Sequence, residues 1–433
     1  MAKQEEIMAQ ASNTPVIKTS VFFRALIEGV FFARIQKRIG TIWKKFWLFI
    51  DGLIGDWARR ILSKMIPVGS DTIMFMTYRN DYDCNPKYIA EELIQQKAPY
   101  RLVWAIGKNT DIYNFPPEIK LVRRNSFEFF CEVASAKVWV DNSINFLWEY
   151  LPKKEGQIYI QTWHGSMGLK RVGKEELKSN KRWLKSGRHC SKDTDFCISN
   201  SDFEDMVFRE SHWPGVQILK YGHARNDILL SADLDIVTAA KRRVYDFFNL
   251  KDTYKIILYA PTFRDNKSIE PYRIDYGKLV KAAQQRFGGD WVILTRHHFH
   301  IRNSQMAAQS ISKEQYVANA TQYNDMQELM VAADIGITDY SSWICDFMLT
   351  GKPGFIYATD IEQYYTERGF YYPLETTPFP ICTNNEELFE SILDFDIEQY
   401  ETKLHQFLLD RGCVEDGYAS ERVAKKIMEI MGD

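Results

Sequence analysis

Four short segments of this chain place reactive side chains where an apolar run gives way to a loop. The first, Gln161-Thr162-Trp163-His164-Gly165-Ser166, presents an imidazole next to a glycine, which lets backbone or substrate approach closely. A histidine titrates near neutrality and can take a proton from an attacking hydroxyl, although a lone histidine is more often structural. The second, Tyr259-Ala260-Pro261-Thr262-Phe263-Arg264-Asp265, offers the Thr262 hydroxyl and backbone amides to a phosphate; alone it reads as an ordinary polar loop. In the third, Leu294-Thr295-Arg296-His297-His298-Phe299-His300, the forked Arg296 cation suits phosphate oxygens, with a histidine beside it. Three histidines so close also raise metal binding, but no Asp, Glu or Cys adjoins them and the spacing typical of zinc is missing. The fourth, Thr338-Asp339-Tyr340-Ser341-Ser342-Trp343-Ile344-Cys345-Asp346, ends a strand and starts a helix. Free amides at a helix start attract phosphate, and the same serines also serve as plain N-caps.

The elements that must position these groups alternate. Apolar strands are expected at Thr72 to Tyr78, Arg101 to Ile106, Lys137 to Val140, Gln157 to Thr162, Asp195 to Ile198 and Val216 to Lys220. Helices fall at Pro86 to Gln96 and Phe127 to Ala136. After a polar, helix-like stretch from Asn226 to Leu250, a second series begins. Its strands are Lys255 to Tyr259, Trp291 to Thr295, Ile335 to Thr338 and Gly354 to Tyr357, with helices at Tyr276 to Phe287, Asp325 to Ala333 and Ser342 to Leu349. Short apolar strands separated by helices imply parallel sheets covered on both faces. The expected architecture is therefore α/β, with two Rossmann-like lobes and a ligand cleft between them. The lobes are assigned to residues 68–228 and 229–433, the second including the C-terminal helices.

Ahead of them, residues 1–67 are expected to form an amphipathic helical segment. Phe22, Phe23, Leu26, Ile27, Val30 and Phe31 recur at helical spacing, and Trp43, Phe46 and Trp47 come next, with Arg34, Lys37, Arg38, Lys44 and Lys45 among them. Aromatic and aliphatic residues beside a basic face suit a helix lying in the headgroup layer of an anionic membrane; a hairpin packed on the body or on a second subunit is the alternative. No apolar run reaches the roughly 18 residues of a spanning helix, and no signal peptide is visible. A net charge of -2 argues against a protein-wide footprint for nucleic acid. Seven scattered cysteines without a Cys-x-x-Cys pair fit reduced thiols in a cytoplasmic setting.

Taken in order, the motifs resemble those of the CDP-glycerol glycerophosphotransferase family, the teichoic acid primases and polymerases. Gln161 to Gly165 is similar to its Thr-Trp-His-Gly element, and Gly222-His223-Ala224-Arg225-Asn226-Asp227 to its Gly-x-Pro-Arg-Asn-Asp element. Leu258 to Asp265, Arg296-His297-His298 and Ile337 to Asp346 match three more, and Lys352-Pro353 with Tyr364 to Phe370 resembles the family's stretch beyond them. The likeness spans about Gln157 to Phe370. It implies a glycosyltransferase-B architecture and a metal-free attack of an acceptor hydroxyl on the donor β-phosphate, releasing CMP. No cofactor is implied, because the CDP-polyol is itself the substrate.

By the same resemblance, His164 and His298 are the catalytic candidates, His164 as general base. Gly165, Ser166, Arg225, Pro261, Thr262, Arg296, His297, Ser341, Ser342 and Asp346 are donor-binding candidates, with His298 also beside the pyrophosphate. The implied partners are CDP-glycerol or CDP-ribitol, a lipid-linked teichoic-acid-like or capsular polymer, and the cytoplasmic face of the membrane; self-association as a homo-oligomer is left open. A nucleotide-sugar glycosyltransferase of the same fold is the alternative function. Two departures stand out. Ala224 replaces the proline of the arginine element, and after His164-Gly165 the chain reads Ser-Met-Gly-Leu-Lys-Arg-Val-Gly, one residue longer than usual.

Overall fold

A computed structural model describes residues 54–144, 147, 151–171, 181–262, 273–296 and 316–432. Residues 1–53, which carry most of the expected amphipathic segment, lie outside these. Residues 54–65 are helical, and Ala58 and Leu62 from them, with Ile66 just beyond, enter the core of the first lobe.

The first lobe is a seven-stranded sheet in the order β3-β2-β1-β4-β5-β6-β7. Its strands are β1 (Thr72–Met76), β2 (Arg101–Ile106), β3 (Ile119–Arg123), β4 (Val138–Asp141), β5 (Ile158–Gln161), β6 (Phe196–Ser199) and β7 (Gln217–Lys220). Every pairing is parallel. Strands β1 and β4 are wholly buried, as expected for a sheet covered on both faces. The covering helices include α1 (Cys84–Gln95), α2 (Phe127–Ser135) and α3 (Lys181–Asp193). Ser126 caps α2 by accepting from Phe129 N, and α4 (Asp202–Val207) is capped likewise by Ser201.

Helix α5 (Leu234–Phe247) leads into the second lobe, a six-stranded parallel sheet ordered β10-β9-β8-β11-β12-β13. Its strands are β8 (Tyr254–Tyr259), β9 (Asp290–Thr295), β10 (Val317–Asn319), β11 (Ile335–Thr338), β12 (Gly354–Tyr357) and β13 (Ile381–Cys382). In each sheet the order reverses beside the first strand of the lobe. That reversal opens the crevice at the carboxyl ends where such sheets bind ligands. The helices of this lobe include α6 (Tyr276–Phe287), α7 (Met326–Ala332), α8 (Trp343–Phe347) and α9 (Ile397–Asp410).

The two-lobed α/β architecture is thus as the sequence implies, with strands β3, β10 and β13 in addition to those expected. The segment 229–433 is not confined to the second lobe. After α9 the chain crosses back, and α10 (Ala419–Met431) packs against α1 and places Val423, Ala424 and Ile427 in a core of the first lobe. Among the described residues no helix is long and apolar enough to cross a membrane.

Candidate active site

The strand ends of the two sheets face each other across a cleft of about 610 Å³. From the first lobe it is lined by Tyr78 and Arg79 after β1, Asn142 after β4, and Trp163, His164 and Gly165 after β5. From the second come Ala260, Pro261 and Thr262 after β8, Arg296 after β9, Ser341 and Ser342 from the β11–α8 connection and Asp346 from α8. Arg225 enters from the loop after β7.

His164 is held on several sides. Its Nδ1 lies 2.6 Å from the Asn142 carbonyl, an acceptor, so Nδ1 carries the proton and Nε2 keeps its lone pair. The ring stacks on Tyr78 (centroids 5.4 Å apart) and lies 4.3 Å from the Trp163 ring. Trp163 adopts a left-handed φ of 51°, sustained by its N–H donating to Gln161 Oε1 at 2.8 Å. Gly165 is demanded by sterics: a Cβ there would stand 2.9 Å from Trp163 Nε1. Burial against these walls, with Arg225 nearby, pushes the His164 pKa down to about 4, against the opposing pull of the Asn142 carbonyl. The residue as a whole is nonetheless exposed to the cleft, so solvent opposes part of that fall.

Facing this base are cations. Arg225 is almost fully buried; its Nε and Nη2 approach Asp346 Oδ2 at 3.1 and 3.0 Å, and Nη2 donates to the Gly165 carbonyl at 2.5 Å. It thereby joins the His164 loop of the first lobe to α8 of the second. Arg296 donates to the Asn324 carbonyl at 3.1 Å, and Arg79 reaches the same carbonyl at 3.3 Å while pairing with Asp83 at 2.9 Å. Lys170 and Arg368 also line the cleft. Five cations against the carboxylates of Asp83 and Asp346 make a site suited to a diphosphate.

The second-lobe loops are braced from beneath. Asp339 Oδ1 accepts from the amides of Thr262 at 2.8 Å and Tyr340 at 2.5 Å, and Trp343 Nε1 donates to the Ala260 carbonyl at 2.8 Å. Ser342 occupies the N-cap position of α8, yet its side chain makes no capping bond, so the hydroxyl is not committed to the helix. Asp346 turns its carboxylate to Arg225 and Asn226.

Of the residues singled out in sequence, His164, Gly165, Arg225, Pro261, Thr262, Arg296, Ser341, Ser342 and Asp346 all line one cleft. Ser166 does not: it is buried behind the loop, where its Oγ accepts from Asn200 Nδ2 at 2.8 Å. His297 and His298 lie outside the described residues. Tyr78, Arg79 and Asn142 were missed; their signal is their position just past β1 and β4, beside the point where the sheet order reverses.

The lengthened loop after His164 has a clear destination. Met167 and Leu169 are buried in the core of the second lobe, Lys170 forms a bridge to Phe370, and the Met167 carbonyl accepts from Tyr372 Oη at 2.7 Å. The base-bearing loop is therefore docked on the opposite lobe.

A family model described as CDP-Glycerol:Poly(glycerophosphate) glycerophosphotransferase matches residues 59–429. The chain belongs to that family. Its similarity to a teichoic acid poly(glycerol phosphate) polymerase of Staphylococcus epidermidis is 34% identity, over 82% of this chain and half of that one. A teichoic acid glycerol-phosphate transferase of Staphylococcus aureus is 28% identical over 86% of this chain and 95% of its own length. The solved structure of the wall teichoic acid polymerase TagF, in a variant soaked with CDPG, superposes with a TM-score of 0.74 at 29% identity, covering 88% of this chain and 94% of that one. Within this glycerophosphotransferase family, the match spans both lobes and nearly all of the returning helix α10.

Proposed function

We propose that this chain transfers glycerol phosphate from CDP-glycerol to a hydroxyl of a teichoic-acid-type polymer and releases CMP. The observation that carries this reading is that His164, Arg225, Arg296 and the Ser341–Ser342 turn line one cleft, with His164 Nδ1 held by the Asn142 carbonyl so that Nε2 is the nitrogen left to accept a proton. The acceptor hydroxyl oxygen attacks the β-phosphorus, forming a new P–O bond while the P–O bond to CMP breaks. His164 Nε2 takes the hydroxyl proton. Arg225, Arg296, Thr262 and the serine turn hold the phosphate oxygens, and the departing CMP carries away the charge they neutralise. Phosphoryl transfer needs alignment and charge neutralisation more than covalent help from the protein, and the side chains here can supply both without a metal.

Glycerol is put before ribitol because the 34% identical S. epidermidis relative is named for glycerol phosphate, while ribitol-phosphate polymerases of S. aureus are also similar to the chain. A lipid-linked acceptor at the cytoplasmic membrane surface fits the basic, aromatic run between Val21 and Ile50, which would hold the cleft near its polymer. In a CMP-release assay with CDP-glycerol and a glycerophosphate-primed lipid acceptor, His164→Ala should lower kcat by about 10²–10⁴-fold while donor binding stays within a few-fold. EDTA should leave the wild-type rate unchanged. Unaltered turnover in the variant removes His164 from the role of base.

A further inference from the structure

Between α9 and α10 the chain crosses from the second lobe back to the first, and Glu415 stands on that crossing. One oxygen of its carboxylate, Oε1, accepts from Asn200 Nδ2 at 2.9 Å, Asn226 Nδ2 at 2.8 Å and the His223 backbone N–H at 3.2 Å. Each asparagine uses its second amide hydrogen elsewhere. Asn200 donates it to Ser166 Oγ at 2.8 Å, two residues past His164. Asn226 donates it to Asp346 Oδ1 at 3.0 Å, on the carboxylate that grips Arg225. One oxygen thus stands a single asparagine away from Ser166 on the base loop and a single asparagine away from Asp346, the carboxylate that holds Arg225.

The backbone is shaped to admit this carboxylate. Gly222 has φ +87°, and a Cβ on it would lie 2.9 Å from Glu415 Oε2 and 3.1 Å from Ala419 Cβ. Val414 N donates to the Asn200 carbonyl at 2.9 Å, which fixes the crossing strand on the end of β6. No atom of Glu415 lines the cleft, so it touches no reacting group.

We propose that Glu415 is a positioning residue for phosphoryl transfer, setting the His164 loop and the Arg225–Asp346 pair in register with each other. The proposal rests on the transfer reading above. Chemistry between an aligned base and a gripped diphosphate is sensitive to displacements of about 1 Å, which cost on the order of 100-fold in rate. Removing the acceptor releases both asparagines together, whereas a glutamine retains a carbonyl oxygen to receive them.

The test compares Glu415→Ala and Glu415→Gln in the full chain, with kcat and donor KM measured by CMP release per folded molecule. Glu415→Ala should lose about 10–100-fold in kcat, and Glu415→Gln should stay within about threefold of wild type. A purely structural role would lower the melting temperature and leave kcat of the folded fraction alone. Asn200→Ala cuts the arm to the base, together with the Ser201 hydroxyl's bond to Asn200 Oδ1, and spares the Asn226 arm; it should lower kcat about tenfold with donor KM unchanged, and it decides the matter if Glu415→Ala does not fold. Hydrogen exchange of residues 162–168 supplies a readout independent of activity, and should quicken in either alanine variant while β1 and β4 keep their protection. Wild-type protein that releases no CMP refutes the transfer reading and leaves the exchange arm to judge the hub. Unchanged kcat in Glu415→Ala or, where that variant does not fold, in Asn200→Ala, glutamine no better than alanine, or unchanged exchange in the loop each overturns the positioning role.

Discussion

The Arg225–Asp346 pair allows a quantitative test of how the lobes are joined at the cleft. Both side chains are nearly inaccessible, at 3% and 5% exposure, and their charged atoms meet at 3.0 Å. Arg225→Ala leaves the Asp346 carboxylate in place with only Asn226 donating to it from the same cluster. Asp346→Ala leaves a covered guanidinium facing the Gly165 carbonyl. Stranding one partner of a buried ion pair costs about 3–5 kcal/mol, because the remaining charge has lost its counter-ion and is not returned to water. Two independent losses would sum to about 6–10 kcal/mol, but the double alanine variant strands no charge. It should cost no more than either single change, giving a coupling energy of about 3 kcal/mol. Urea unfolding of the four proteins, monitored by tryptophan fluorescence, measures this cycle. At about 1.4 kcal/mol per tenfold change, such coupling is more than a hundredfold in the folding equilibrium constant. A coupling energy below about 0.5 kcal/mol would mean the two charges are not interdependent, and the reasoning would be wrong.

Two further expectations concern pH. Since the cleft walls hold the His164 pKa well below its ordinary 6.5, toward about 4, the acid limb of kcat/KM should bend far below pH 6.5; a bend at or above 6.5 would contradict the described environment. His212, packed between Trp163 and Trp213, has its pKa lowered by burial and then by His164 to about 3. The folded state therefore binds fewer protons here than the unfolded one, so the stabilising contribution of neutral His212 is complete above pH 6.5 and lost as pH falls from there through 3. His212→Phe is free of that loss and should gain on wild type by about 1.4 kcal/mol per unit of acidification across the window. A stability difference that stays constant with pH would refute it.

Much of this arrangement can be read from the bare chain, and the reasons differ between elements. Strands β2, β11 and β12 are mostly apolar runs, so their limits coincide with expectation. Strand β3 escaped because Ile119, Leu121 and Val122 alternate with Lys120 and Arg123 at the sheet edge, giving a weak signal just after Pro116-Pro117. Helix α3 escaped for the opposite reason: its sequence is dominated by lysine, arginine and serine, and tertiary contacts at Ser186, Gly187 and Cys190 decide its state. Most of the cleft-lining residues were legible because they follow closely on a strand, His164 and Gly165 on β5, Pro261 and Thr262 on β8, Arg296 on β9 and Ser341 and Ser342 on β11, whereas Arg225 and Asp346 lie further on and were found through the motifs around them. Asn142 was not, since its contribution is a backbone carbonyl and becomes visible only when β4 and β5 are known to be neighbours. Ser166 shows the converse: sequence proximity to a base does not place a hydroxyl in the same crevice.

The homeward path of α10 bears on how this molecule can be taken apart. Severing the polypeptide where the two sheets meet would leave residues up to about 230 with a raw apolar gap, normally filled by Val423, Ala424 and Ile427, and would leave the other fragment trailing a helix with nothing beneath it. Neither fragment is a self-sufficient folding unit, so expressing them singly should yield sticky, poorly soluble products, and co-expression would be needed to restore a native-like body. A protease nick in the connector would likewise leave the pieces associated, because the tail still grips its original seat.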